Sequence, residues 1–229
     1  MTKQQAPEYR IRRVQVRPEL KGLWEGPAWK AADTLDIANV RPEGTDHQPQ
    51  TRARLLYDDQ SIYGIFHVRD RYVRSVQTAF QAGVCGDSCV EFFVQPMGKP
   101  PYFNFEFNCG GTLLCSWIED PTRRPQGGFT KHTMLPAEDG KKVRIFHSMP
   151  RVVEPEIQKP TEWVIEFSIP FALMAKYAGP LGSIAGQKWR ANLYKCGDQT
   201  SHRHWMSWSP VDILNFHLPR CFGTLEFER

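Results

Sequence analysis

No segment of the 229 residues approaches the ~18 consecutive apolar residues that a membrane-spanning helix requires. The opening Met1-Thr2-Lys3-Gln4-Gln5 runs into polar residues without an apolar core, so no secretory signal is legible. Taken as written the chain reads as a soluble cytoplasmic product, and as an extracytoplasmic one if a leader has been removed. Cysteine is sparse. Cys85, Cys89, Cys109, Cys115, Cys196 and Cys221 are too few over this length for a disulfide scaffold. Several lie in strand-like contexts, where a free thiol behaves as a small apolar side chain, so reduced thiols are expected. A large surplus of one charge sign is missing as well. Twenty-nine Lys and Arg against 25 Asp and Glu leave a net +4. The densest basic run, residues 10–17, reads as an exposed edge strand rather than a phosphate track. Neither nucleic acid nor a membrane is expected as a partner, and the oligomeric state is not legible. The chain has no internal repeat, no low-complexity tract and no linker long enough to divide it, so residues 1–229 read as one domain.

What the chain does have is short strands. Residues 10–16, 51–56, 61–68, 112–118, 127–135, 142–147, 162–169, 188–195 and 224–227 carry strand patterns between turn formers. Residues 22–32 form a compact loop holding Trp24 and Trp29. Pro170 starts the one convincing helix, residues 171–177, which stops before Gly179-Pro180. Many short strands with one short helix predict an all-β fold, an antiparallel β-sandwich of immunoglobulin or jelly-roll type.

The central pair of strands carries the chemistry. In residues 89–95, Val90, Phe92 and Val94 alternate with Glu91, Phe93 and Gln95. In residues 102–108, Phe103, Phe105 and Phe107 alternate with Tyr102, Asn104, Glu106 and Asn108. The connection Met97-Gly98-Lys99-Pro100-Pro101 is short and rich in turn formers, so an antiparallel hairpin is expected. Burying both apolar rows in one core gathers Glu91, Gln95, Asn104, Glu106 and Asn108 on the other face. Carboxylates and amides match hydroxyls that donate and accept, and an aromatic ring such as Tyr102 covers an apolar sugar face. That face suits a polyhydroxylated ligand.

The order of motifs resembles that of family 9 carbohydrate-binding modules and their relatives with the DOMON-like sandwich. The Gly/Trp opening of residues 22–31 is similar, as is the strand–acidic turn–strand unit of residues 51–70. So are residues 87–93, with Cys89 as an extra residue, and the closing pieces at residues 163–170, Ala191-Asn192, residues 207–210 and residues 222–225. The resemblance implies a sandwich that grips a sugar, typically a chain end, between two rings with polar side chains at its edge. It places the polar contacts on Glu91, Asn104, Glu106 and Asn108. One ring position falls near Val84-Cys85, where the chain has no ring, and the other near Phe216. The stretch of residues 196–222, with little strand pattern and with Trp205, Phe216, His217, Asn215, His202 and His204, is expected to form one wall of the site. Trp163 and Trp208 read as core, and Trp117 is a weaker platform candidate.

The predicted function is non-catalytic binding of a glycan or sugar chain end in support of carbohydrate catabolism. Two alternatives stand beside it. Glu91 and Glu106, as cross-strand neighbours with side chains starting ~5 Å apart, could be the carboxyl pair of a glycoside hydrolase. Met206 with His204 could ligate haem in a DOMON-like relative. No cofactor and no bound metal is expected. Cys196, Asp198, His202 and His204 offer metal-ligating types but no closed zinc spacing, and read as a hydrogen-bonded loop. Structural calcium stays open, since family members carry it. Yet Asp58, Asp59 and Asp70 lack the acidic-loop spacing of a calcium motif and are read as turn residues.

Overall fold

The computed structural model describes residues 6–98 and 100–229. Met1–Gln5, on which the absence of a secretory signal was read, lie outside them, as does Lys99 of the hairpin connection. The strands are β1 (Glu8–Arg13), β2 (Leu35–Asp36), β3 (Asn39–Val40), β4 (Gln50–Tyr57), β5 (Ser61–Ser75), β6 (Cys89–Gln95) and β7 (Tyr102–Asn108). They continue with β8 (Leu113–Arg123), β9 (Phe129–Met134), β10 (Arg144–His147), β11 (Val153–Pro170), β12 (Lys188–Cys196), β13 (Trp205–Ser207) and β14 (Gly223–Phe227). One sheet runs β10-β11-β5-β4, with β2 also on β4. The other runs β9-β8-β7-β6-β12-β14, with β13 on β12 and β3 on β13. The expected β-sandwich is therefore present. No helix among the described residues is long and apolar enough to cross a membrane.

Strand β1 ends both sheets: its Glu8–Ile11 pair in parallel with β14 and its Arg12–Arg13 with β4, each stretch with one partner strand among the described residues, so it joins the two sheets at their edges. Tyr9 and Ile11 point inward, while Arg10 is exposed. The basic run is the solvent side of an amphipathic strand.

The apolar rows meet as their alternation requires. Phe92 and Phe107 of the second sheet stack on Phe167 of the first, at centroid distances of 5.7 and 5.1 Å. Phe103, Phe105, Val90, Trp163, Trp208 and Trp117 belong to the same core. Trp117 packs 4.4 Å from Phe103, which removes it as a stacking platform. The helix α2 (Phe171–Ala178) follows a one-turn α1 (Ala137–Gly140) and buries Phe171, Leu173 and Met174. It ends at Gly179, whose φ of 82° is left-handed backbone that glycine adopts without cost. Trp24 and Trp29 cover the outer face of the first sheet, where the Trp29 indole donates to Glu166 at 2.9 Å.

Asp58 is a turn residue, its Oδ1 accepting the Gln60 and Ser61 amides. Asp70 is not. It lies inside β5 with a fully buried side chain, 3.5 Å from Lys195 and 2.7 Å from His47. Strand β5 extends well past the expected end at Val68, so the acidic residue sits in a ladder instead of a turn.

Candidate functional site

Antiparallel pairing sets Glu91 of β6 directly opposite Glu106 of β7, and Asn104 opposite Ser116 of β8. These residues stand on the outer face of the second sheet. Residues 209–222, after strand β13, fold back over that face, and their Phe216, Leu218 and Phe222 form a second apolar cluster with Phe93, Tyr102 and Tyr194. The cover is incomplete. It leaves a cavity of about 640 Å³ whose floor is Glu91, Asn104, Glu106, Leu114 and Ser116. Trp205, Asn215, Phe216 and His217 wall one side, and Arg123, Phe129, His132 and Met134 from the β8–β9 hairpin wall another. Cys85, Cys196, Asp198, Ile213 and Leu214 complete the lining.

The floor is held by side-chain bonds. The Asn104 amide donates to Glu106 Oε1 at 2.7 Å and accepts the Ser116 backbone N–H at 2.7 Å. The Cys196 thiol donates to Glu91 Oε1 at 3.2 Å. Burial pushes the Glu106 carboxyl up to about 7, and burial together with Glu106 pushes Glu91 well above the ordinary range. Asp198 is raised by burial as well. Burial, aided by Arg123, holds His217 well below the usual imidazole range, so this ring is neutral. The Trp205 indole donates to Asp198 Oδ1 at 2.7 Å, which fixes the ring at the mouth. Phe216 lies parallel to Tyr194, 4.0 Å between centroids, and its carbonyl accepts the Tyr194 hydroxyl.

Six of the eight predicted site residues line the cavity: Glu91, Asn104, Glu106, Trp205, Phe216 and His217. Two do not. Asn108 donates to Asp87 Oδ2 and to the Gln77 carbonyl and accepts the Thr112 amide, so its amide pins a turn. Tyr102 is buried beneath the loop, its hydroxyl 2.9 Å from His217 Nδ1. His202 and His204 also leave the wall. His202 stacks on Tyr72 at 3.5 Å, and His204 Nε2 meets the Lys195 ammonium at 2.7 Å.

Sequence reasoning missed Leu114, Ser116, Arg123, Phe129, His132 and Met134. Extending the alternation one strand further would have found Leu114 and Ser116, which pair with Glu106 and Asn104. Of the β9 residues, Met134 and His132 pair in register with Ser116 and Ile118, whereas Phe129 lies beyond two register shifts and had no such signal.

One group of three metal-ligating side chains exists among the described residues. Cys89, Glu91 and Cys196 place their ligand atoms within 4.8 Å of one another. Two sulfurs make this a soft donor set, unlike the oxygen cage that calcium takes. Burial pushes the Cys89 thiol up to about 12, so the pair is protonated. The haem alternative loses the pair it was read on, since Met206 is in the core and His204 is engaged by Lys195. The hydrolase alternative needs two carboxyls in contrasting environments. Glu91 and Glu106 are both buried on one cavity floor and both pushed upward.

Comparison with solved structures finds the same fold elsewhere. A candidate carbohydrate-binding protein from Bacteroides uniformis shares 27% identity, with a TM-score of 0.84 over 97% of this chain and 100% of that one. A family 9 carbohydrate-binding module from Caldicellulosiruptor kristjanssonii in complex with cellotriose shares 12% identity at a TM-score of 0.63, covering 97% and 94% of the two chains. A family 9 module from the same organism in complex with glucose gives 13% identity and 0.62, covering 96% of each. No curated protein matches. The family model described as carbohydrate-binding family 9 matches residues 29–227. The chain therefore belongs to carbohydrate-binding family 9, as a non-catalytic carbohydrate-binding module.

Proposed function

We propose that the cavity over the outer face of the second sheet is where this module takes its carbohydrate, a sugar or the end of a glycan chain. Glu106 and Glu91 accept hydrogen bonds from ring hydroxyls, with Asn104 holding Glu106 in place. Trp205 offers the apolar face of its ring at the mouth, and Phe216 with His217 continues the same wall. The observation that carries this reading is the cavity itself. At about 640 Å³ it is of ligand size, and two carboxyls and an amide converge on its floor between apolar walls. Of the tryptophan and phenylalanine rings in the lining, Trp205 is the half-buried one, so a single-sided platform takes the place of a two-ring clamp.

Calorimetric titration with glucose and cellotriose, followed by a glycan array, tests the proposal. Charge-assisted hydrogen bonds are worth ~1.5–3 kcal/mol, so Glu106→Gln should raise Kd by roughly 10- to 150-fold with the circular-dichroism spectrum unchanged. A bound oligosaccharide should gain no reducing ends over a day of incubation. Wild-type affinity in Glu106→Gln would place the site elsewhere on the module.

A further inference from the structure

Among the described residues three carboxyl groups face the cavity, from Glu91, Glu106 and Asp198, and the only guanidinium or ammonium in its lining is Arg123. Glu91 is 3% exposed and Glu106 6%, so water reaches them only through the cavity. Each has one oxygen engaged, by the Cys196 thiol and the Asn104 amide respectively. Among the described residues no side chain or amide donates to the second oxygen of either. The Arg123 guanidinium stands over the Phe129 ring, 4.3 Å from its centroid, at the wall rather than the floor. The floor thus presents two adjacent, buried, half-satisfied carboxyls with no cation of their own. A neutral hydroxyl can hydrogen-bond to such a pair but does little to offset the cost of ionising either carboxyl. An ammonium supplies three donors and balances the charge of the carboxyl that ionises against it.

We infer that the cavity selects a sugar bearing a free amine, an ammonium-carrying aminohexose, over its uncharged parent. The inference rests on the proposed role of the cavity as the sugar site and names the class of sugar it prefers. The elevated position of the Glu106 carboxyl agrees with it, because a floor that resists ionisation when empty is relieved most by a cationic guest. The N-acetylated sugar, having lost the charge, falls with the neutral group.

The test titrates the intact protein near pH 6.5 with glucosamine, galactosamine and mannosamine, with their parents glucose, galactose and mannose, and with the N-acetyl derivatives. At least one amine should bind about tenfold or more tightly than both its parent and its N-acetyl form. In Glu106→Gln, with circular dichroism verifying the fold, that preference should shrink to within about threefold. Neutral sugars bound as tightly as every amine would overturn the amine preference and leave the carbohydrate site intact. Binding of none of these, and of no glycan on the array, would overturn the site itself and the preference with it. An amine preference undiminished in Glu106→Gln would also count against the inference, since the cation would then be held by other groups.

Discussion

Consecutive residues of β12, Lys195 and Cys196, point into two buried acidic sites of opposite character. On the inner face the Lys195 ammonium lies 3.5 Å from Asp70, ties β12 to β5 across the sandwich, and donates to His204 at 2.7 Å. His204 Nδ1 faces the His202 carbonyl at 2.8 Å, which can only accept, so Nδ1 carries the proton and Nε2 receives Lys195. Burial, reinforced by Lys195, holds His204 down at about 3, in its neutral form. Burial pushes Asp70 up, but Lys195 and the His47 bond overrule it and hold the carboxyl well below its usual range. On the outer face Glu91 and Glu106 have each other and, among the described residues, no cation in contact; burial outweighs the more distant Arg123, and both rise. The inner site is paired and complete. The outer one is left unsatisfied, which costs stability and leaves bonding capacity for a ligand.

The largest expected effect breaks the inner site. Lys195→Met keeps the volume but strands Asp70 and should destabilise the fold by ~3–5 kcal/mol in urea unfolding, as loss of one partner of a buried pair does. A loss below ~1 kcal/mol would remove the contrast between the two sites.

The second prediction reverses the sign on the outer face. Glu106 is protonated in the folded state up to about pH 7 but ionises near its ordinary value when unfolded. Its contribution is therefore fully present below pH ~4.5, falls as pH rises toward 7 and levels off above. Asp70 runs the other way, contributing above its unfolded value of ~3.9 and failing as the solution becomes more acidic. Glu106→Gln should flatten the decline between pH ~4.5 and 7 and raise Tm at pH 8, while weakening sugar binding. A variant less stable than wild type at pH 8 would mean that the carboxyl is satisfied in the empty site.

The smallest effect separates two rings of one wall. Phe216 is packed on Tyr194 and should cost about 3 kcal/mol when cut to alanine. Trp205 is half-exposed, and Trp205→Ala should change stability by less than ~1 kcal/mol while lowering sugar affinity. Equal thermal shifts in the two variants would show that both rings serve the fold alone.

Much of this was legible residue by residue. Period-two alternation put Phe103, Phe105 and Phe107 on one side of β7 and Asn104 and Glu106 on the other, and both assignments hold because pleat geometry acts locally. The same rule misled at Asn108 and Tyr102, which share the outward face yet lie outside the cavity. Which part of a face stays open depends on where a distant loop covers it. Asp70 was misread for a similar reason: its partners Lys195 and His47 lie far away in sequence.

Alternation and turn chemistry, both properties of near neighbours, determined that this chain forms a β-sandwich with a polar strip on the outer side of β6 and β7. Tertiary structure alone decided the rest. It made β1 the strand joining the two sheets, set residues 209–222 over the outer face, and brought Arg123 and Phe129 to the cavity wall. It also gave Asp70 a buried cation and left Glu91 and Glu106 without one. Charge pairing in a buried site is a matter of distance in space, which spacing along the chain does not specify.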